Sequence, residues 1–255
     1  MILCLDSGNT RLKWGLWDGQ GWCGCGALEH AETGRLLDGL PEKPSRILAC
    51  NVAGEKVAAS IAGWSASLSV PLEWFRSSAA AGGVSNGYDN PAQLGADRWA
   101  ALIGARSVHG GPALVVMSGT ATTIDVLGAD GVFRGGLILP GLDLMRQALA
   151  RSTANLPAAS GTFSALPTNT DDAIVSGCLA ATLGAIERVA GQPVCSSSGN
   201  ASGANFLCLI SGGAAAALVP HLTLPFRKID NLVLTGLAHF ATPGGLMRSR
   251  HGNRA

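Results

Sequence analysis

Hydrophobic residues along the chain fall in short blocks that stop abruptly on polar, glycine-containing turns. The first block, Met1–Leu5, ends on Asp6-Ser7-Gly8-Asn9-Thr10 and resumes as Arg11–Trp17. The second, Ala113–Met117, is interrupted by Ser118-Gly119-Thr120-Ala121-Thr122 and resumes as Thr123–Leu127. The third, Phe206–Ile210, meets Ser211-Gly212-Gly213 and then the alanine-rich Ala214–Val219. Apolar runs bounded by Gly, Ser and Asn are the pattern of buried strands closed by tight turns. The first two blocks read as strand–turn–strand, and the third as strand–Gly-Gly–helix. Apolar residues three and four apart predict amphipathic helices over Gln93–Val108 and Asp171–Val189. Thr170 before Asp171 and Asp172 predicts a capped helix start with an acidic first turn. The Ser- and Gly-rich stretch Gly191–Ala204 predicts a loop.

Two alike strand–turn–strand units half a chain apart indicate an internal duplication. The break at Gly110-Gly111-Pro112 places the division between residues 1–112 and 113–255. Strands alternating with helices give an α/β fold with mixed sheets.

Composition narrows the function. The 255 residues are 47% hydrophobic and 14% charged, enough apolar material for real cores and too much for disorder. The net charge is +1, with Lys and Arg scattered, so no basic stripe marks a nucleic-acid or membrane-surface partner. The N-terminal apolar run stops at Asp6 without a basic segment before it, unlike a signal peptide. No apolar stretch approaches the roughly 18 residues of a membrane span; the richest, Phe206–Pro220, is broken by Ser211-Gly212-Gly213. The seven cysteines (4, 23, 25, 50, 178, 195, 208) are odd in number and several lie in apolar runs. That usage predicts reduced thiols and a cytoplasmic protein. Cys23-x-Cys25 lacks a second ligand pair for zinc. Histidines 30, 109, 221, 239 and 251 are isolated and read as core, surface or loop residues. No G-x-S-x-G element supports acyl transfer.

Three segments carry candidate chemistry. In Asp6-x-Gly8-Asn9-Thr10-x-x-Lys13, a carboxylate at a strand end can hold Mg²⁺ directly or through water. The neighbouring amides, Asn9, Thr10 and Lys13 supply donors and a positive charge for phosphate. An ordinary hairpin with a polar turn reads equally well from these residues alone. In Gly119-Thr120-Ala121-Thr122-Thr123-x-Asp125, hydroxyls and amides between two strands suit a second phosphate contact, although threonine is also common in strands. Their matching positions in a duplicated chain favour a nucleotide clamp. The third segment runs from Tyr88 to Arg98, with Asp97 and Arg98 opening a helix. Arg98 suits a substrate carboxylate, and Asp97 suits a hydroxyl proton in phosphoryl transfer. A surface Asp–Arg pair is the plainer reading of that segment taken by itself.

Together these motifs resemble the type III pantothenate kinases, also called Bvg accessory factor homologues. The likeness covers nearly the whole chain. It extends to Gly135-Gly136-Leu137-Ile138-Leu139-Pro140-Gly141, to Asn169-Thr170-Asp171-Asp172-Ala173-Ile174 and to Asp230–Leu237. It implies two ribonuclease-H-like domains of the actin/hexokinase/sugar-kinase superfamily, with mixed five-stranded sheets. It also implies ATP-dependent conversion of pantothenate to 4′-phosphopantothenate, the first step of coenzyme A synthesis. The implied catalytic base is Asp97. Implied pantothenate contacts are Tyr88, Gly95, Ala96, Asp97, Arg98 and Thr170, the last supplied across a homodimer interface. Implied ATP contacts are Asp6, Ser7, Gly8, Asn9, Thr10, Arg11, Leu12, Lys13 and Thr120, with Mg²⁺ at Asp6. Members of the family usually ligate K⁺ or NH₄⁺ with an Asp two residues before the glycine of the second phosphate motif. Here that position is Met117, whose thioether does not suit a hard cation. A kinase for another hydroxyl substrate and a nucleotide-binding accessory protein without turnover remain the competing readings.

Overall fold

The computed structural model describes residues 1–153, 156, 159–192 and 205–242. Cys195 and most of the expected loop Gly191–Ala204 lie outside the described residues. The described residues form two compact units, one of residues 1–109 together with 231–242, the other within Gly110–Asp230.

The first unit is built on β1 (Ile2–Ser7), β2 (Arg11–Trp17), β3 (Trp22–Glu29), β4 (Arg46–Asn51) and β5 (Leu72–Trp74). They pair in the order β3-β2-β1-β4-β5. The β3–β2–β1 pairings are antiparallel and β1–β4–β5 parallel, a mixed sheet. Central β1 is apolar on both faces, as a strand covered on both sides requires. Leu3 and Leu5 pack there with Leu12, Leu16, Ile47 and Ile61. β3 alternates cysteine and glycine, a weak strand composition. Tryptophans compensate: a Cβ on Gly26 would sit 2.7 Å from Trp14 Nε1, so the indole of β2 lies flat over the glycine. Helix α1 (Glu55–Leu68), a short hairpin of β6 (Ala80–Ala81) with β7 (Val84–Asn86), and helix α2 (Ala96–Val108) complete this stretch.

The second unit repeats the plan. β8 (Ala113–Ser118), β9 (Ala121–Leu127), β10 (Val132–Pro140), β11 (Leu207–Ser211) and β12 (Phe226–Lys228) run β12-β11-β8-β9-β10 within a sheet of seven strands rather than the expected five. The β8–β9–β10 pairings are antiparallel and β8–β11–β12 parallel. Order and sense of these five strands match the first sheet, and this is the structural form of the duplication. Helices α3 (Leu142–Ser152), α4 (Thr170–Ala190) and α5 (Ala215–Leu218) accompany it. α4 is long and apolar enough to cross a membrane. Its Ile174, Cys178, Leu179, Leu183 and Ile186 are nevertheless buried against Leu114, Val116 and Ile124, the role of a core helix.

Helix α6 (Leu232–Ala241) then returns to the first unit and packs on α2. A Cβ on Gly236 would lie 1.8 Å from the Ala100 carbonyl, and one on Gly104 2.4 Å from that of Leu232. The two helices therefore touch backbone to backbone. The expected division at 112/113 assigned this helix to the second half; its packing corrects that. Two helix starts also differ from the periodicity. Pro91 opens a short 3₁₀ turn, Pro91–Gln93, and Leu94 is extended, so α2 begins at Ala96 rather than near Gln93. Asn169, not Thr170, caps α4: its Oδ1 accepts from the Asp172 amide at 2.9 Å, and Thr170 is the first helical residue. The helix expected over Ala214–Val219 is a single turn, Ala215–Leu218, followed by a 3₁₀ turn that contains Pro220.

Candidate active site

In the first unit the charged groups converge at the end of β1. Asp6 faces Lys13 in the β1–β2 register and Cys50 in the β1–β4 register, so the three side chains share one face. The Cys50 thiol donates to Asp6 Oδ1 at 3.5 Å. Asp6 is 6% exposed. Burial pushes its carboxyl up to about 6; Lys13 opposes the rise and the nearby charge of Asp97 adds to it. The Cys50 thiol is itself held well above the usual range by burial and by Asp6.

The chain then turns through Gly8–Arg11, closed by the Gly8 amide donating to the Arg11 carbonyl at 3.2 Å. Asn9, Thr10 and Arg11 are exposed, Lys13 is half-buried, and Ser7 and Leu12 are buried. The Leu12 side chain belongs to the core, which leaves only its backbone for a ligand. Gly8 is not forced by sterics: a Cβ there would meet nothing nearer than the Arg11 carbonyl at 3.6 Å. His30, dismissed on sequence grounds as an isolated histidine, reaches this turn. Its Nε2 donates to the Gly8 carbonyl at 2.8 Å across 22 residues of chain.

The segment before α2 is tied down by short side chains. Asn86 Oδ1 accepts from the Tyr88 amide, and its Nδ2 donates to the Ser78 and Pro91 carbonyls. Ser77 donates to the Leu94 carbonyl at 2.6 Å. Gly95 caps α2 without a side chain, and there is a reason. A Cβ on it would stand 2.7 Å from Asp97 Oδ1, the oxygen that accepts the Arg98 amide at 2.8 Å. The missing methyl makes room for the Asp97 carboxylate in the first helical turn, where the helix dipole favours its charge. Arg98 is buried, and its Nη1 donates to the Tyr88 hydroxyl at 2.8 Å. Its guanidinium also lies 5.6 Å from the Tyr88 ring centroid. Tyr88 and Arg98 therefore act as one unit, a link that sequence spacing had not supplied. A cleft of about 410 Å³ opens beside this turn, lined among others by Asn51, Trp74, Arg76, Leu94 and Ala96.

The second unit holds the other loop. Thr120 is exposed at the β8–β9 turn, where the Gly119 amide donates to the Ala121 carbonyl at 3.0 Å. Ser118 and Thr122, both buried, pair through their hydroxyls at 3.3 Å. Two distant glycines press on this turn. A Cβ on Gly141 would fall 2.1 Å from the Gly119 carbonyl, and one on Gly212, whose φ is +104°, 2.1 Å from that of Ser118. Thr170 is exposed at the first turn of α4. Its neighbour Asp172 is occupied: the Thr162 amide and the Asn169 amide group both donate to it and hold its carboxyl below the usual range.

Among the described residues no cluster of three His, Cys, Asp or Glu side chains is arranged to hold a metal. Mg²⁺ does not need one, because it is usually bound by one or two carboxylates, waters and substrate phosphates. Asp6 fits that description. Met117 is half-buried and lies opposite Thr123 and Ser211 in the sheet register. Its thioether does not fit a monovalent hard cation.

Repeated sheets of order 3-2-1-4-5 with polar loops after the first strands define an actin-like ATPase or sugar-kinase fold. Solved structures agree. A Baf-family protein of Campylobacter jejuni, described as a transcriptional activator, superposes with a TM-score of 0.63 at 19% identity, covering 94% of this chain and 96% of that one. A protein of Sinorhizobium meliloti named as a 2-dehydro-3-deoxygalactonokinase gives 0.56 at 15% identity, over 95% and 98%. Sequence similarity is more specific. Residues 2–192 match the model of the type III pantothenate kinases. The type III pantothenate kinase of Aromatoleum aromaticum is 53% identical over 240 residues, 93% of this chain and 96% of the relative. The chain belongs to the type III pantothenate kinase family.

Proposed function

We propose that the chain phosphorylates the terminal hydroxyl of pantothenate with ATP, with Asp97 as general base, and so opens coenzyme A synthesis in the cytoplasm. One observation carries the reading. The first unit brings Asp97 within electrostatic reach of Asp6 at the end of β1, while the next residue along the helix, Arg98, is buried against Tyr88. This grouping of Asp97, Asp6 and Arg98 supports reading them as proton acceptor, phosphate-side carboxylate and cation for an anionic substrate.

Asp97 takes the hydroxyl proton as the alcohol oxygen bonds to the γ-phosphorus of ATP. The bond from that phosphorus to the β-γ bridging oxygen breaks, and ADP leaves. Arg98, held by Tyr88, pairs with the pantothenate carboxylate. Asn9, Thr10, Lys13 and Thr120 contact the phosphates. Asp6 would hold Mg²⁺, which would supply charge neutralisation at the phosphates. Thr170 of the partner subunit completes the substrate site in a homodimer. Support for the dimer comes from the exposed large apolar side chains, which among the described residues all lie in the second unit; Ile138 (65%) and Leu166 (88%) are the most open. Turnover does not require K⁺, because Met117 offers no oxygen.

A coupled ADP-release assay with pantothenate, glucose and glycerol tests the substrate. Turnover is expected with pantothenate alone, and Arg98→Ala is expected to raise its KM. Comparable turnover with glucose or glycerol would sink the carboxylate argument.

A further inference from the structure

We infer that His30 is a positioning residue for nucleotide, bracing the first phosphate turn through the Gly8 carbonyl; this rests on the proposal that ATP phosphates meet that turn. His30 follows β3 and opens the 3₁₀ segment His30–Gly39. Its own backbone is fixed by Thr33, whose hydroxyl donates to the His30 carbonyl at 2.9 Å. The ring then spans to Gly8, whose carbonyl can only accept, so the proton of that 2.8 Å bond sits on Nε2. The other ring nitrogen, Nδ1, is buried without a hydrogen-bond partner. The imidazole therefore makes one polar contact through its ring, and that contact is to the turn.

Gly8 is not wedged, since a Cβ there would meet nothing nearer than the Arg11 carbonyl at 3.6 Å, and Asn9, Thr10 and Arg11 are exposed. The second phosphate turn, by contrast, is wedged by Gly141 and Gly212. With the Gly8 amide committed to Arg11 and its carbonyl to His30, the peptide plane before Asn9 is fixed. The amides and side chains of Asn9 and Thr10 are then presented in one arrangement. Without the brace, binding must order the turn itself, and affinity falls.

His30→Leu, His30→Gln and Thr10→Ala are compared with wild type for the affinity of a non-hydrolysable ATP analogue, for both KM values and for thermal stability. Gln can place an amide donor near the position of Nε2. His30→Leu is expected to weaken the analogue and raise the ATP KM about 3- to 10-fold, the loss of one hydrogen bond, with the pantothenate KM unchanged. Gln is expected to recover most of that loss. Should His30→Leu not fold, His30→Asn, too short to reach Gly8, replaces it against Gln. Analogue affinity unchanged in His30→Leu but weakened in Thr10→Ala would overturn the brace and leave the phosphate turn standing. Equal losses in the Leu and Gln variants would reduce His30 to packing. Affinity unchanged in all three variants would remove both the brace and the phosphate role of the turn.

Discussion

The two phosphate turns sit at equivalent places in two sheets of the same order, yet they are built on different principles. The Gly8–Arg11 turn is open and charged: Asp6 and Lys13 flank it, and the His30 ring bonds its Gly8 carbonyl. The Ser118–Ala121 turn is crowded, and its buried hydroxyls make a neutral pair. Its shape is set by backbone from β10's end and from the β11 exit pressing on it. Duplication preserved topology, and the chemistry diverged. One half supplies charge and adaptability, the other a fixed backbone surface.

That contrast can be broken most severely at Gly212. Alanine there must take a φ of +104° and enter the Ser118 carbonyl, so Gly212→Ala is expected to cost about 3 kcal/mol or more. Urea unfolding of the variant measures it, and a cost under about 1 kcal/mol would show that the second turn is not wedged.

Next comes Asp6. Its carboxyl titrates near 6 in the fold against an ordinary 3.8, because burial disfavours the charge. The folded state therefore holds the proton more tightly. Its stabilising contribution is full below about pH 4 and is lost as pH rises through about 6. Asp6→Asn is accordingly expected to be more stable than wild type at pH 8, by up to about 3 kcal/mol, and no more stable near pH 4. Unfolding at the two pH values measures this; a difference that does not change with pH would contradict the buried charge. The same variant is expected to lose Mg²⁺-ATP turnover.

Gly8→Ala is the mild counterpart of Gly212→Ala. With the nearest atom 3.6 Å away, its stability is expected to change by less than about 1 kcal/mol. Smallest of all is the response to K⁺. Titrating K⁺ into the kinase assay is expected to leave the rate unchanged, and strong activation would show that oxygens other than a residue-117 carboxylate make the site.

Local signals made the strand–turn–strand units legible, since Met1–Leu5 and Ala113–Met117 are apolar enough to be buried on both faces. The motif from Tyr88 to Arg98 was legible as residue types on a helix start. Long-range contacts were not. β3 breaks strand propensity with alternating glycines, and the Trp14 indole of β2, lying against Gly24 and Gly26, explains it. α6 looked like part of the second half until its glycine met α2. His30 carried no signal, because its partner is a carbonyl, which leaves no trace in residue identity. The Tyr88–Arg98 bond was hidden for a related reason: spacing of ten residues across a loop predicts no contact.

Single-turnover phosphoryl transfer to pantothenate by Asp97→Asn, with the affinity for an ATP analogue determined on the same preparation, bears most directly on the proposed chemistry. Loss of a general base predicts a rate lower by about 10²–10⁴-fold with analogue affinity retained. A rate close to wild type would mean that the proton leaves by another route and that Asp97 is not the base.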